Sequence, residues 1–429
     1  MKGYPMKFTA DSYFNPHLAV GSKRVDAVIT VSATGDGSAT IQRKGKTLAI
    51  FIGDSSGSMD GDKLLQMKHA IRIGINCLDE DCFFSVISFN SFADTIVPVT
   101  KATSAAKSAA HEAVQKLRAG GGTEMSNALI AALEEAKSAD AAIVLVYFVT
   151  DGENDSGDGK SLDMVLSSAE GKLQANCWGV GTDWDPRDLR KIAGRLLGTA
   201  DAVPNPEKLE AKFREALALG MAKGIGDVKL RLWMPKSVEA VTIKQMSPEI
   251  ADLKGLCSRV DEKTIEVPLG AWGEESRDYH IGFELTPQSE GEEMMVCRPK
   301  VVYLDNGNEV AAEGQRIVAT WSSDDSLTTR INAQVAHYTG QEELANSIKE
   351  GLEAKARGDV DQATVLLGKA AKIAIQTGND EVTQRLKKVV DVVDAAEGTV
   401  RLRSGASKGD EMELDMGGTR TVRRRPAGA

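Results

Sequence analysis

The sequence predicts an α/β domain, a mostly parallel sheet with helices on both faces, inserted in a β-sandwich and followed by a C-terminal helical bundle. Three observations carry this. From Thr47 onward apolar strands alternate with amphipathic helices, the pattern of a parallel sheet covered on both sides. Beyond residue 224, short strands with period-2 alternation follow one another between turn residues, as in an antiparallel sandwich. From residue 341 the apolar spacing returns to i, i+4, which marks helices. The 429 residues leave room for several domains, each with its own core. The division expected is 1–45 as strands joining the sandwich, 46–223 as the α/β domain, 224–325 as the sandwich, 338–398 as the helical domain and 399–429 as a disordered tail.

In the α/β segment LAIFIG (48–53) reads as a buried strand, and 63–76 as a helix with Leu64, Leu65, Met67 and Ile71 near helical spacing. FFSVISFN (83–90) and DTIVPVT (94–100) form a hairpin of strands. Helices are expected over 104–117 and 124–137, separated by the glycine run 120–122. AIVLVYFVT (142–150) is the most apolar strand and therefore central. A helix near 162–173, a strand QANCWGVG, a helix near 186–197 and a closing helix over 206–221 complete a unit of ordinary domain size.

On the flanks, VKLRLW (228–233), TIEVPLG (264–270), DYHIGFEL (278–285), EMMVCRPKVVYL (293–304) and RIVATW (316–321) are the sandwich strands. RVDAVITVSAT (24–34) alternates in the same way, with Val25, Ala27, Ile29 and Val31 on one face. A lone strand is unstable, so it is expected to complete the later sandwich, with an extra strand at the edge of the α/β sheet as the alternative. Leu344, Ile348 and Leu352, then Ala363, Leu366, Leu367, Ala370 and Ala374, outline a helical hairpin similar to a tetratricopeptide repeat in a small bundle. The tail from Ser404 lacks apolar periodicity. It carries Asp410, Glu411, Glu413 and Asp415 and then Arg420, Arg423, Arg424 and Arg425, so disorder is expected.

Composition removes several function classes. A net charge of -10 opposes general affinity for nucleic acid, which is driven by phosphate neutralisation. The longest apolar run, AAIVLVYFV, is too short to span a bilayer, and MKGYPMKFTADSYF has no apolar secretory core, so a cytoplasmic protein without membrane attachment is expected. Five scattered cysteines without CxxC spacing read as free thiols.

The chemistry concentrates in TLAIFIGDSSGSMDGDKL, residues 47–64. GDSSGS is similar to the nucleophile loops of trypsin-like proteases and GDSL-type hydrolases, but each needs a histidine base. The nearest candidate, Asp278-Tyr279-His280, has the wrong spacing and sits in a strand. Alternatively, Asp54, Ser56 and Ser58 form D-x-S-x-S at the C-terminal end of the first α/β strand, the edge where such sheets place their ligands. One carboxylate and two hydroxyls make an incomplete shell for a hard cation. AGGGTEMSNAL adds Thr123 just before a helix, and FVTDGEND adds Asp151 at the end of the most apolar strand.

The ordered set D-x-S-x-S, G-G-T and V-T-D-G resembles the von Willebrand factor A (VWA) domain, a Rossmann-like fold, and its metal-ion-dependent adhesion site (MIDAS), over residues 46–223. The resemblance implies that Asp54, Ser56, Ser58, Thr123 and Asp151 hold a divalent cation, Asp151 directly or through water. An all-oxygen set with two acids suits Mg²⁺, or Mn²⁺ or Ca²⁺, with Mg²⁺ preferred because it tolerates bound water and few carboxylates. The family's open coordination position takes an acidic side chain from a protein partner, which implies binding and not catalysis. Asp62 is a candidate for a second calcium, against the simpler role of an acid in a helix's first turn. Trp184 is a candidate for lining the metal edge, against plain burial.

Two settings fit this binding. In one, the protein is a cytosolic bacterial scaffold or signalling adaptor. DEMELDMGGTRTVRRR places acids before Thr419 and Thr421, similar to targets of Ser/Thr kinases that forkhead-associated domains then recognise. In the other, it serves a separate AAA+ ATPase of chelatase or metal-insertion type, since the chain has no G-x-x-x-x-G-K-[ST] of its own. A metal-dependent hydrolase is the third reading, because a hard cation with an open site activates water.

Overall fold

The computed structural model describes residues 6–35, 46–305 and 307–424. The chain forms two compact units. One contains residues 46–227 and Gly270–Gly273, and the other contains residues 6–35, Val228–Leu269 and residues from Glu274 onward. The first is thus carried as an insertion within the second.

Strands β1 (Lys7–Phe14), β2 (His17–Ala19) and β3 (Arg24–Thr34) precede the insertion. The inserted unit then runs β4 (Thr47–Asp54), α1 (Asp62–Cys77), β5 (Phe83–Phe89), β6 (Ala93–Lys101), α2 (Ser104–Gln115), α3 (Met125–Ala139) and β7 (Ile143–Thr150). It continues with α4 (Gly159–Ala169), β8 (Gln174–Val180), α5 (Pro186–Arg195), β9 (Ala200–Val203) and α6 (Leu209–Met221). Among the described residues its sheet has the order β6-β5-β4-β7-β8-β9, parallel except for the β5–β6 hairpin.

β4 and β7 are buried at every position, because helices cover both faces of the sheet. Leu64, Met67, Ile71 and Ile75 turn one side of α1 inward. Two glycines allow α1 to lie close to the sheet. A Cβ on Gly53 would stand 2.6 Å from Met67 Sδ, and one on Gly74 would stand 2.6 Å from Phe51 Cε1. Phe51, Tyr147, Trp178 and Phe213 form one aromatic cluster, with Trp178 and Phe213 centroids 4.7 Å apart.

The host unit continues with β10 (Ile225–Trp233), β11 (Val238–Ser247), β12 (Ala251–Asp252), β13 (Ser258–Asp261), β14 (Thr264–Trp272), β15 (Ser276–Leu285), β16 (Glu293–Asp305), β17 (Asn308–Glu313) and β18 (Ile317–Ser322). One sheet has the order β1-β3-β15-β11-β12. The other has β13-β14-β10-β16-β18-β2, with β17 beside β16. β3 therefore sits inside the sandwich, paired antiparallel with β15. The two sheets meet where Phe8 tilts against Tyr303 at 4.8 Å and Gln315 N donates to Ala10 O at 3.1 Å.

Helices α7 (Asp325–Thr328), α8 (Ala333–Ala356), α9 (Val360–Gln376) and α10 (Asp380–Val389) follow, then β19 (Val390–Asp394), β20 (Thr399–Leu402) and α11 (Lys408–Gly417). Leu344, Ile348, Leu367, Leu386, Val400 and Leu414 share one core.

The expectation of a disordered tail over 399–429 is corrected for residues 399–424. β20 pairs with β19, and Ser407 and Asp410 make a reciprocal capping box that starts α11. Met412, Leu414 and Met416 are buried. The acids that suggested a solvated run are partnered, Glu411 with Lys355 at 2.5 Å and Glu413 with Lys388. Residues 419–424 lie along the host unit: Ile250 N donates to Thr419 O at 2.8 Å, Thr421 N to Pro248 O at 3.0 Å and Arg423 Nε to buried Asp278 Oδ2 at 3.0 Å. Arg425 and the residues after it lie outside the described residues.

A docked tail makes a testable demand. Leu414→Ala should destabilise the host unit by about 2–5 kcal/mol, the range for truncating a buried leucine. Denaturant unfolding reads this directly, and an unchanged transition would mean that α11 does not contribute to the core.

Candidate metal centre

β4 and β7 are neighbours, with Gly53 opposite Val149, so the residues that follow them leave the sheet side by side. The chain passes from β4 to β5 on one side and returns to β7 on the other. The loops after β4 and β7 therefore flank the crevice where the winding reverses, the ligand position of open α/β sheets.

Three loops meet there. After β4, Ser55 is turned toward β5: its N donates to Phe89 O at 2.7 Å and its hydroxyl to the same carbonyl at 3.0 Å. The alternation sends Ser56 and Ser58 the other way, and buried Met59 anchors the turn. The loop between α2 and α3 is stitched to this one by Gly57 N to Gly121 O at 3.1 Å and Gly120 N to Ser55 O at 2.8 Å. Gly121 has φ +87°, a left-handed conformation that glycine adopts without strain. After β7, the Asp155 N–H donates to Thr123 O at 2.8 Å and its carboxylate accepts from Thr123 N at 3.2 Å, which clasps Thr123 in place.

The five residues singled out in the sequence come together. Asp54 Oδ1 accepts from Ser56 N at 2.7 Å, and its Oδ2 accepts from the Thr150 hydroxyl. The Ser56 and Ser58 hydroxyls are 3.1 Å apart, and Ser58 Oγ donates to Asp151 Oδ1 at 2.7 Å. A Cβ on Gly152 would stand 2.9 Å from Thr123 Oγ1 and 3.6 Å from Ser58 Oγ, so this glycine leaves space beside both hydroxyls. Asp54 and Asp151 are both wholly buried.

Burial pushes the Asp54 carboxyl up to about 6, the hydrogen bonds from Thr150 and Ser56 oppose this, and the charge of Asp151 adds to it. Two buried acids facing one space, with three hydroxyls and, among the described residues, no thiol or imidazole, fit a hard divalent cation. One protein cation is already present. Lys63 Nζ reaches Asp151 Oδ2 at 2.5 Å and Asp183 Oδ2 at 3.6 Å. Burial works against its charge, and the bonds to these two acids prevail, raising its pKa.

Sequence reasoning missed Thr150, Asp155's clasp and Lys63. The only prior signal for Lys63 was a cation in a helix's first turn, where the dipole disfavours it. For Trp184 and Asp62 the structure favours the simpler of the two readings. Trp184 is buried, its indole donates to Gly181 O at 3.1 Å, and it fills the space left by the missing side chain of Gly179, so it packs on β8 and does not line the site. Asp62 is an exposed residue of α1's first turn and belongs to no cluster of three metal-binding side chains among the described residues. Nor does a histidine hydrogen-bond to Ser55, Ser56 or Ser58 among the described residues. His69 pairs with Glu210, His280 with Asp26 and His337 with the Val422 carbonyl.

The Asp54 shift has a definite sign. The folded state holds this proton up to about 6, whereas an ordinary Asp releases it near 3.8, so the stability contribution falls as pH rises through that window. In chelator, calorimetry of the wild type should show extra stabilisation between about pH 7 and pH 5 that Asp54→Asn lacks. Parallel pH profiles for the two proteins would contradict the placement of Asp54.

Residues 49–202 match the von Willebrand factor type A domain family, and residues 372–418 match the von Willebrand factor type A C-terminal domain family. A solved structure of von Willebrand factor type A from Catenulispora acidiphila is 39% identical, covers 98% of this chain and 98% of that one, and superposes with a TM-score of 0.90. The ArnB paralog VWA2 from Sulfolobus acidocaldarius shares the fold at 15% identity and a TM-score of 0.59, over 97% of this chain and 98% of that one. An uncharacterized protein of Synechocystis sp. is 30% identical over 205 residues, 47% of this chain and 48% of that protein, so the chain spans about half the length of this curated relative. Near-complete coverage of a 39%-identical chain, together with the inserted α/β fold, places this protein in the von Willebrand factor type A family.

Proposed function

We propose that the chain is a metal-dependent protein–protein interaction module in which Asp54, Ser56, Ser58, Thr123 and Asp151 hold a divalent cation, Mg²⁺ in preference to Mn²⁺ or Ca²⁺. The observation that carries this is the convergence of two buried carboxylates and three hydroxyls from separate loops on one crevice. When bound, the cation supplies an electrophilic position for the carboxylate of a protein partner. The chain's own residues set the rest. Thr150 and the Ser56 N–H orient Asp54, Ser58 orients Asp151, and the Asp155 clasp places Thr123. The absence of a histidine beside the loop serines, among the described residues, favours binding over acyl-transfer catalysis.

The setting we favour is a cytoplasmic bacterial scaffold or signalling adaptor. Among the described residues no helix is long and apolar enough to cross a membrane. Thr419 and Thr421 remain the proposed sites for a Ser/Thr kinase and a forkhead-associated partner. The Thr421 hydroxyl donates to Met246 O at 2.5 Å, so a phosphoryl group there requires residues 419–424 to leave their seat. Service to an AAA+ ATPase is the alternative.

Isothermal titration of Mg²⁺ should show one saturable site in the wild type, weakened about 100-fold or more in Asp54→Ala, beyond the loss usual for an outer-shell partner. Equal heats in the two proteins would remove the site. A Mg²⁺-dependent pull-down then separates the settings, since kinases and forkhead-associated proteins support the adaptor and a hexameric ATPase supports the alternative. Mass spectrometry of protein co-expressed with its host's kinases should find phosphate on Thr419 or Thr421, and two unmodified threonines would end that branch.

A further inference from the structure

Lys63 occupies a built position. It enters from the first turn of α1, and its stem crosses Gly181, where an added Cβ would stand 3.1 Å from Lys63 Cε. The left-handed φ of +76° at Gly181 suits glycine there, and the Trp184 indole bonded to the Gly181 carbonyl fixes that turn. The ammonium group is thereby delivered to Asp151 Oδ2, while Asp151 Oδ1 accepts from Ser58. Asp183 is the weaker second partner, at 3.6 Å and largely exposed.

Both oxygens of Asp151 are therefore engaged by the protein itself, one of them by a full positive charge. The two buried acids give the site a formal charge of about -2, and Lys63 reduces it to about -1. A divalent cation entering beside Asp54, Ser56 and Ser58 meets Lys63 as a repulsive neighbour that competes for the same carboxylate. The Lys63 side chain is 24% exposed, which leaves its charge only partly screened by water.

We propose that Lys63 is a tethered counter-cation that sets the affinity of the metal site by sharing Asp151 with the divalent ion. It stabilises the metal-free protein by neutralising a buried acid, and it weakens metal binding by the same interaction. By linkage the two effects are reciprocal: whatever Lys63 contributes to the metal-free state is withdrawn from metal affinity to the extent that the ion displaces it. The site then fills only where divalent cation is plentiful, and its bound ion keeps more positive charge for an incoming carboxylate. This inference rests on the cation-binding reading above.

The test compares wild type with Lys63→Met, which keeps the length of the stem, and Lys63→Arg, which keeps the charge. Mg²⁺ titration should show Lys63→Met binding about tenfold or more tightly than wild type and Lys63→Arg close to wild type. Thermal unfolding in chelator should place Lys63→Met below wild type, and saturating Mg²⁺ should raise its midpoint by more than it raises the wild type's. Equal or weaker Mg²⁺ binding by Lys63→Met, with the wild type binding normally, overturns the role of Lys63 and leaves the metal site intact. If none of the three proteins binds Mg²⁺, the cation-binding reading fails and the role assigned to Lys63 falls with it.

Discussion

Two carboxylates, Asp54 and Asp151, are fixed next to each other by the pairing of β4 with β7 and are wholly removed from water. Buried charges of like sign are costly unless something positive or a dense set of donors compensates them. The strands leave them no freedom to separate, because both continue directly out of a central, fully buried pair. Every other feature of the site answers that constraint. Thr150 and the Ser56 N–H donate to one acid, Ser58 and Lys63 donate to the other, and a hard cation is the remaining compensation the donor set can accept.

The α/β core supplies the rigidity this arrangement needs. Gly53 and Gly74 let α1 lie close against β4, with Met67 over Gly53 and Gly74 against Phe51. The aromatic cluster of Phe51, Tyr147, Trp178 and Phe213 locks β4, β7, β8 and α6 together beneath the crevice. Loops alone hold a site loosely, and here they are tied to one another by backbone bonds from Gly57 to Gly121, Gly120 to Ser55 and Asp155 to Thr123. On the proposed function, a partner's carboxylate would meet a preorganised surface, which lowers the ordering cost of binding.

How much of this was legible follows from what local sequence can encode. β4 and β7 were readable because complete burial demands unbroken apolar runs, and the ligand loops were readable because they sit at those runs' ends with glycines beside them. The place of β3 within the sandwich was inferable from its alternation, since a strand with one apolar face needs a neighbour. The tail was not. Its helix buries Met412, Leu414 and Met416 among charges, and its acids and arginines find partners such as Lys355 and Asp278 that are remote in the chain. Lys63 was hidden for a similar reason: its role depends on Asp151, 88 positions away, and on a glycine at the end of β8.

The most direct measurement is anomalous diffraction from crystals of this protein equilibrated with Mn²⁺. A single strong peak bounded by Asp54, Ser56, Ser58, Thr123 and Asp151 is expected, with ligand oxygens at the short distances of an octahedral cation. A peak instead at Asp79, Asp81 and Cys82, whose ligating atoms lie within 4.8 Å of one another, or no peak in the crevice, would contradict it.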